Sequence, residues 1–538
     1  MRRHCLIAFS FANFCFFNAW REVLSPEGVS HLYYWKQYPG YAALAALALN
    51  VLLLASIFLA GVYLLRRVGG ANGERIGQII FLLVFLRAVN NIRAQFEFFS
   101  TSHIRLLIGR SGYIGAMLLV FSLIIFAIWR YGLRRVARGF ALVLLIWSPF
   151  GLLGFAQATW WALKYGPATA REKTVASPLK LNDNQRPRVV WLIFDEMDER
   201  LAFAARPPGL SLPAFDRLRS ESLYATNAFP PAGHTSQSIP ALLTGQLISA
   251  VKPIGPGDLL LTIPANGKAV GWSERSDIFS EARAAGTNSA LVGWFHPYCR
   301  VIGDRLTSCH WEPGSQRIDT SKLSLTSNLI RQDSDLLRLL PFSAKLRERL
   351  SANPWNYESK HFTDYVTLMD DAENVVGDQN FGLVFIHLPV PHPPAIYNRA
   401  RGDFSWRESS YLDNLALADR VLGELRQRME ETGVWERTTL IVSSDHWWRS
   451  DYWSRRIFWS QADQAIAGVQ VDHRIPFIVK LAGQTTASQH DAAFNTVLTH
   501  DLILEVLRGG ISNQKDLAGW IDKHRTIGES PYQSYEDE

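Results

Sequence analysis

Acidic residues are scarce at the start of this chain. The first 165 residues hold four Asp or Glu against 16 Lys or Arg, a balance of +12, and the remainder holds 45 against 39, a balance of −6. The basic excess therefore lies in the apolar end and not as a patch on a folded polar domain, which argues against a nucleic-acid-binding protein. No internal repeat or low-complexity tract is visible. Disorder is excluded as a class, because 48% of the residues are apolar and 12% aromatic. Cysteine is also sparse, with four in 538 residues. Cys5 and Cys15 fall in the first apolar run and read as inert packing residues. Cys299 and Cys309 enclose nine residues, YCRVIGDRLTSCH, a spacing that suits a disulfide in an oxidising compartment. A metal pair would want a second cysteine pair beside it.

What the N-terminal third has in quantity is uncharged sequence. Runs of 17, 29, 19 and 25 residues lie between Arg3 and Arg21, Lys36 and Arg66, Arg110 and Arg130, and Arg138 and Lys164. About 20 apolar residues cross a bilayer. A shorter fifth run, IGQIIFLLVFLRAVNNI from Ile76, carries Arg87, which can snorkel or face the bundle interior. Five spans with the N-terminus inside put nine basic residues (Arg2, Arg3, Arg66, Arg67, Arg75, Arg130, Arg134, Arg135, Arg138) on the cytoplasmic side. Five (Arg21, Lys36, Arg93, Arg105, Arg110) fall on the other. This satisfies the positive-inside rule and sends the rest of the chain out of the cytoplasm. Tyr33, Tyr34 and Trp35, and Phe96, Phe98 and Phe99, read as interfacial aromatics or as a surface that holds a lipid beside the soluble domain.

Residues 164–187 are polar, hold three prolines and read as a linker. Beyond it, short apolar runs alternate with helical patterns such as Tyr411–Glu431 and Ala493–Leu507. Strands are expected at Val189–Phe194, Ser289–Phe295, Leu383–Leu388, Thr439–Val442 and Pro476–Leu481. The fold class is thus a multi-span α-helical membrane domain, residues 1–163, followed by an α/β domain with a largely parallel central sheet, residues 188–510. Residues 511–538 read as a C-terminal tail.

Ligands of open parallel sheets bind beyond the carboxyl ends of the strands. Polar groups collect there: WLIFDEMDER with Asp195 and Glu196, PPAGHTSQSIPALLTG, FIHLPVPHPP with His387 and His392, and LIVSSDHWWRS with Asp445 and His446. VDHRIPFIVKL adds His473. Singly, each has an ordinary reading as a turn, cap or loop residue. Together, carboxylates and imidazoles from separate strand ends make an oxygen and nitrogen donor set that suits zinc. A hydroxyl beside such a metal becomes a nucleophile at neutral pH.

These motifs resemble the alkaline phosphatase superfamily in its sulfatase-like branch, over roughly residues 187–510. The strand ending in Asp195 resembles the first metal-ligand strand of that family, SDH at 444–446 its later metal pair, and HPP at 392–394 its histidine loop. TSQSIPALLTG resembles the nucleophile segment. Both the arylsulfatase pattern and the Thr-x-x-Ser pattern of membrane phosphoethanolamine transferases and lipoteichoic acid synthases place the nucleophile at Thr235. A threonine cannot be converted to formylglycine, and Gln237 and Ile239 stand where sulfatases carry Pro and Arg. Trp447 and Trp448 replace the glycine usual after the Asp-His pair.

The resemblance implies a metal-dependent phosphotransferase in a bacterial cytoplasmic (inner) membrane, its catalytic domain facing the periplasm or cell exterior. Asp195, Glu196, Thr235, Asp445 and His446 would hold one or two Zn2+ or another divalent cation, with Asp195 favoured over Glu196. His392 and His473 would bind substrate or a second metal, and His392 would act with Thr235 in catalysis. His387, His234 and His296 read as structural. The implied partners are a phospholipid donor, with a phosphoethanolamine or phosphoglycerol head group, and an envelope glycan or glycolipid acceptor. An envelope phosphodiesterase, phosphatase or sulfatase-like hydrolase, and a non-catalytic membrane assembly factor, are the alternatives. Oligomeric state is not legible.

Overall fold

A computed structural model describes residues 2–24, 41–93, 101–164, 172–180, 187–255, 257–264, 267–313, 323–336, 339, 357–406, 409–454, 459–467 and 473–525. The chain divides into two compact units. One comprises residues 1–169 and 318–353, the other 170–317 and 354–538.

In the first unit, three helices among the described residues are long and apolar enough to cross a membrane: Tyr41–Arg93, Ser111–Tyr131 and Leu133–Trp160. The 53-residue helix is not straight, because Gly70 leaves the helical region at φ 52°. Phe58 and Phe81 stand 6.1 Å apart. In a straight helix, 23 residues would separate them by about 34 Å. The two limbs therefore fold back on each other, and they coincide with the apolar runs before Arg66 and after Ile76. The first apolar run forms two shorter helices, Arg2–Cys15 and Phe17–Leu24. Ala8, Ala12, Phe16, Ala19 and Trp20 pack there against Leu47 and Val51. Cys15 is buried, whereas Cys5 is exposed and does not pack.

A further helix, Leu325–Leu336, comes from sequence read as part of the α/β domain but belongs to the first unit. Asn50 Nδ2 donates to Gln332 Oε1 at 3.1 Å and to the Leu329 carbonyl at 3.2 Å, while Gln332 Nε2 donates to the Ala43 carbonyl at 3.0 Å. Leu339 is buried among Phe11, Phe81 and Phe85. Buried amides need such partners, since an unpaired polar group in an apolar interior costs a few kcal/mol. The expected domain 188–510 is thus interrupted.

The second unit is built on an eight-stranded sheet. Its strands in chain order are β1 (Arg188–Asp195), β2 (Leu223–Ala225), β3 (Ser289–Trp294), β4 (Ser308–Glu312), β5 (Leu383–Pro391), β6 (Thr438–Ser444), β7 (Phe477–Lys480) and β8 (Ser488–His490). The spatial order is β8-β2-β7-β6-β1-β5-β3-β4. Strands β6, β1, β5, β3 and β4 run parallel, and β7 is antiparallel to both β6 and β2. The sheet is mostly parallel, as its unbroken apolar runs require: β1 and β5 are buried along their whole length, so no polar face alternates in. The helix Tyr411–Glu431, capped by Ser410 and Asp413, covers one face with Leu415, Ala418, Leu422 and Leu425.

Three sequence-based boundaries shift. Residues 172–180 of the expected linker are docked, with Lys173 and Ala176 donating backbone hydrogen bonds to Cys299 and Leu306. The helix expected at 493–507 begins at Thr499, after a short strand at Phe494–Asn495. The helix Gln514–His524 buries Leu517 and Ile521, so the unit extends past 510. Residues 528–538, the expected solvated end, lie outside the described residues, as do Tyr33, Tyr34, Trp35, Phe96, Phe98 and Phe99.

Candidate active site

The carboxyl ends of β1, β5 and β6 meet at one edge of the sheet. Asp195 is the last residue of β1, where the register with β5 slips and Asp195 faces Pro391. Asp445 and His446 follow directly on β6. His387 lies within β5, opposite Ile193 of β1 and Gly293 of β3. His392 follows the end of β5. The fourth wall is the helix Thr235–Thr244.

Thr235 occupies the first turn of that helix and is buried. The helix N-cap is His234, which makes no side-chain cap, so Thr235 is not the capping residue. Its hydroxyl stands 3.3 Å from Asp195 Oδ2 and 3.2 Å from His446 Nε2. Its carbonyl contacts His296 Nε2 at 3.0 Å. Ser238 is occupied elsewhere, donating to the Asp445 carbonyl at 2.5 Å. At the far end, Gly245 closes the helix at φ 65°, and a Cβ there would meet the His500 ring at 2.8 Å. Glycine is needed on both counts.

Around the hydroxyl, His446 Nε2 lies 3.3 Å from Asp445 Oδ2 and 4.0 Å from Asp195 Oδ1. His387 Nε2 lies 3.3 Å from Asp195 Oδ2. Two groups of donors converge within 4.8 Å: Asp195, Asp445 and His446, and Asp195, Glu196 and His392. Asp195 Oδ1, Asp445 Oδ2, His387 Nε2 and His392 Nδ1 are buried with no hydrogen-bond partner. Buried polar atoms are seldom left so, and carboxylate oxygens facing imidazole nitrogens in one space fit a bound cation.

The electrostatics agree. Burial, reinforced by Asp195, pushes the Asp445 carboxyl up to about 8, and burial with Glu196 beside it raises Asp195 well above its usual range. Burial lowers His387 to about 4 and holds His446 and His392 well below the ordinary imidazole value. Neutral imidazoles and destabilised carboxylates fit a divalent cation, which Asp195, Asp445 and His446 could hold.

Glu196 follows Asp195 with φ 61°, one of three non-glycine residues with positive φ among the described residues; the others are Phe295 and His473. Such backbone costs about 1–3 kcal/mol and gathers at functional sites. Here it turns Glu196 toward Arg449, whose Nε donates to Glu196 Oε1 at 2.6 Å, while Trp453 Nε1 donates to Oε2 at 2.6 Å. Burial alone would lower Arg449, but Glu196 outweighs it and keeps the guanidinium charged. Arg449 Nη1 also contacts His234 Nδ1 at 2.7 Å. Trp448 turns inward to stack on Tyr411, 4.4 Å between centroids. Trp447 lies against His473 at 4.2 Å, and His473 joins neither donor group.

Arg449 escapes a sequence reading, and His387, named there only as structural, gains its place beside Asp195 from the fold. His387 sits inside an apolar strand and looks like a satisfied core histidine. Its role follows from register with β1 and from Tyr298, whose hydroxyl lies 2.9 Å from His387 Nδ1. Tyr298 reaches that position because residue 293 is glycine: a Cβ there would stand 2.2 Å from the Tyr298 ring. The Cys299–Cys309 disulfide, S–S 2.08 Å, ties the short helix bearing Tyr298 to β4, as the spacing predicts. The signal for Arg449 was its place four residues after Asp445.

The family model described as Sulfatase matches residues 187–508, more than half of the chain, and the chain belongs to that family, within the alkaline phosphatase superfamily. No curated protein sequence matches it. Similar solved structures include a sulfatase from Pseudoalteromonas sp., 16% identical over 63% of this chain and 74% of that one, TM-score 0.38. A phosphonate monoester hydrolase of Agrobacterium radiobacter is 13% identical over 61% and 78%, TM-score 0.36. A protein of the alkaline phosphatase superfamily from Vibrio parahaemolyticus is 13% identical over 62% and 68%, TM-score 0.37.

Proposed function

We propose that this sulfatase-family chain, anchored by its apolar helices, transfers a phosphorus-containing head group, phosphoethanolamine or phosphoglycerol, from a phospholipid to an envelope glycan or glycolipid. The observation that carries the reading is the Thr235 hydroxyl, set between Asp195 and His446 in a buried donor cluster. A threonine cannot become the aldehyde hydrate that sulfatases use, whereas a hydroxyl attacks phosphorus directly. The setting we assign is the outer face of a bacterial cytoplasmic membrane. Supporting it are the nine-to-five basic asymmetry and the disulfide, which suits an oxidising compartment.

In the first half-reaction the Thr235 oxygen bonds to phosphorus as the phosphorus–oxygen bond to glycerol breaks. The proton lost by Thr235 ends on the departing diacylglycerol. In the second, the acceptor hydroxyl displaces Thr235, and its proton returns to the threonine oxygen. His392, held neutral by burial, is the imidazole we assign to carry protons. The helix start at Thr235 presents backbone N–H groups to the anionic oxygens. Asp195, Asp445 and His446 would hold a divalent cation, zinc by its donor set, which when bound would supply Lewis acidity to lower the hydroxyl pKa and offset phosphoryl charge. Glu196 and His473 are assigned outer positions, Glu196 through Arg449 and His473 through Trp447.

The second reading is an envelope hydrolase, with water as acceptor. It fits the same residues equally well, and the family description favours it. One experiment separates them. Full-length protein in phospholipid vesicles is quenched in acid and its peptides are mapped. A head-group adduct on Thr235, one diacylglycerol released per site, and discharge dependent on added envelope glycolipid are expected. Equal discharge in water alone establishes the hydrolase. No adduct, or one on Ser236, overturns the Thr235 mechanism.

A further inference from the structure

We propose that the Glu196–Arg449 pair is a charge filter that suits the site to singly charged phosphodiesters over doubly charged monoesters. The inference deepens the reading above and rests on it. A guanidinium carries five N–H donors in a planar fork. Here Nε and Nη2 both meet Glu196 Oε1, and Nη1 meets His234, the residue before the nucleophile. Those contacts engage three donors and leave two. The Arg449 side chain is 18% exposed and Glu196 fully buried, so the arginine is the member of the pair that an incoming ligand can reach. Trp453 fixes the second Glu196 oxygen, and the Tyr411 hydroxyl donates to the Glu196 carbonyl at 2.7 Å. The carboxylate is therefore built in and does not swing aside when a ligand arrives.

The consequence is a charge balance. Asp195 and Asp445 carry two negative charges, which one divalent cation would cancel. Glu196 cancels Arg449. The site then offers donors to phosphoryl oxygens without a surplus of positive charge. A diester brings one negative charge and a monoester, above its second pKa of about 6, brings two. In a buried site of low effective dielectric, the second uncompensated charge is strongly disfavoured. Without Glu196 the arginine would compensate one further charge, which relaxes the penalty on the monoester more than on the diester. The positive φ of Glu196, 61°, aims its own side chain at Arg449 and so maintains the balance.

The test uses full-length Thr235→Ala protein in detergent, loaded with zinc, so that binding is read without turnover. Affinities for diethyl phosphate and ethyl phosphate are measured by calorimetry at mildly alkaline pH, with metal content by mass spectrometry. The parent should bind the diester more tightly. Adding Glu196→Gln should shift the ratio at least tenfold toward the monoester without changing metal content. Adding Arg449→Gln, which leaves Glu196 uncompensated, should weaken both ligands, the monoester more. An unchanged ratio in a folded Glu196→Gln protein overturns the filter, as does absence of binding by both esters. Loss of metal in that variant overturns it too and makes Glu196 a ligand. Failure of the proposed function is seen separately, as absence of the Thr235 adduct in the unmodified protein.

Discussion

His387 Nε2 lies 3.3 Å from Asp195 Oδ2, with neither side chain exposed to solvent. The contact joins adjacent parallel strands, and the other ring nitrogen is held by the Tyr298 hydroxyl and the Trp294 carbonyl. An imidazole fixed on one side presents its second nitrogen in one direction. His387 Nε2 is thus fixed beside the carboxylate on which both donor groups depend.

The first prediction follows from that geometry. His387→Ala should fold and keep its disulfide, yet lose metal affinity by about 10–100-fold, the usual cost of removing an orienting partner. Tyr298→Phe should produce a smaller loss in the same direction. Competition with a chromogenic chelator measures both. Unaltered metal affinity in His387→Ala would return this residue to a packing role.

Thr235→Ala removes the proposed nucleophile and leaves Asp195, Asp445 and His446 in place. Because His234 is the N-cap, the change should cost under about 1 kcal/mol of stability. Zinc content should stay near normal while head-group release falls at least a thousandfold. Asp445→Ala should lose zinc and turnover together. Ser238 cannot substitute, since its hydroxyl is committed to the Asp445 carbonyl. Near-normal turnover by a folded Thr235→Ala protein would end the covalent mechanism.

The loop closed by Cys299 and Cys309 is short, so its chain-entropy contribution is about 3 kcal/mol. Thiol labelling of the unfolded, unreduced chain should find Cys5 and Cys15 and neither of the other two. Cys299→Ser with Cys309→Ser should lower the unfolding midpoint and loosen Tyr298, so metal affinity falls as well. Labelling of all four cysteines would refute the bond.

Asp419 gives a pH prediction away from the metal site. Its carboxyl accepts the Phe215 backbone N–H at 2.8 Å, and burial pushes it up to about 6. The folded state therefore keeps a proton that the unfolded chain loses near pH 4. Stability from this group is full below pH 4 and declines as pH rises through 6. Asp419→Asn should remove that slope while keeping an acceptor for Phe215. Calorimetric midpoints at pH 4, 5, 6 and 7 for both proteins test this, and parallel profiles would discount Asp419.

Much of the framework was legible in the sequence. Both-face burial makes interior parallel strands continuous apolar runs, so β1, β3, β5, β6 and β7 stood out, and Asp195, Asp445 and His446 marked two of their ends. Thr235 was legible through its motif. Other features depend on relations between distant residues. His387 acquires its role from register, Arg449 from the unusual backbone of Glu196, and the fold-back of Tyr41–Arg93 from one backbone torsion at Gly70. The helix Leu325–Leu336 shows no sequence break at its borders. Its pairings with Asn50 and with the Ala43 carbonyl assign it to the first unit.

That interruption has a bearing on biosynthesis. The neighbours of β1 are β5 and β6, both of which follow residues 318–353 in the chain. Translation at about 5–20 residues per second leaves β1 without either neighbour for roughly 10–40 s. During that interval both edges of a strand destined for complete burial are open, while part of the chain between them is committed to the first unit. Assembly of the central sheet must wait for Leu325–Leu336 to be delivered and for the polypeptide to return. A nascent chain stalled before Leu383 would hold a seated insertion and an unclosed sheet, the stage at which a chaperone has the most to protect.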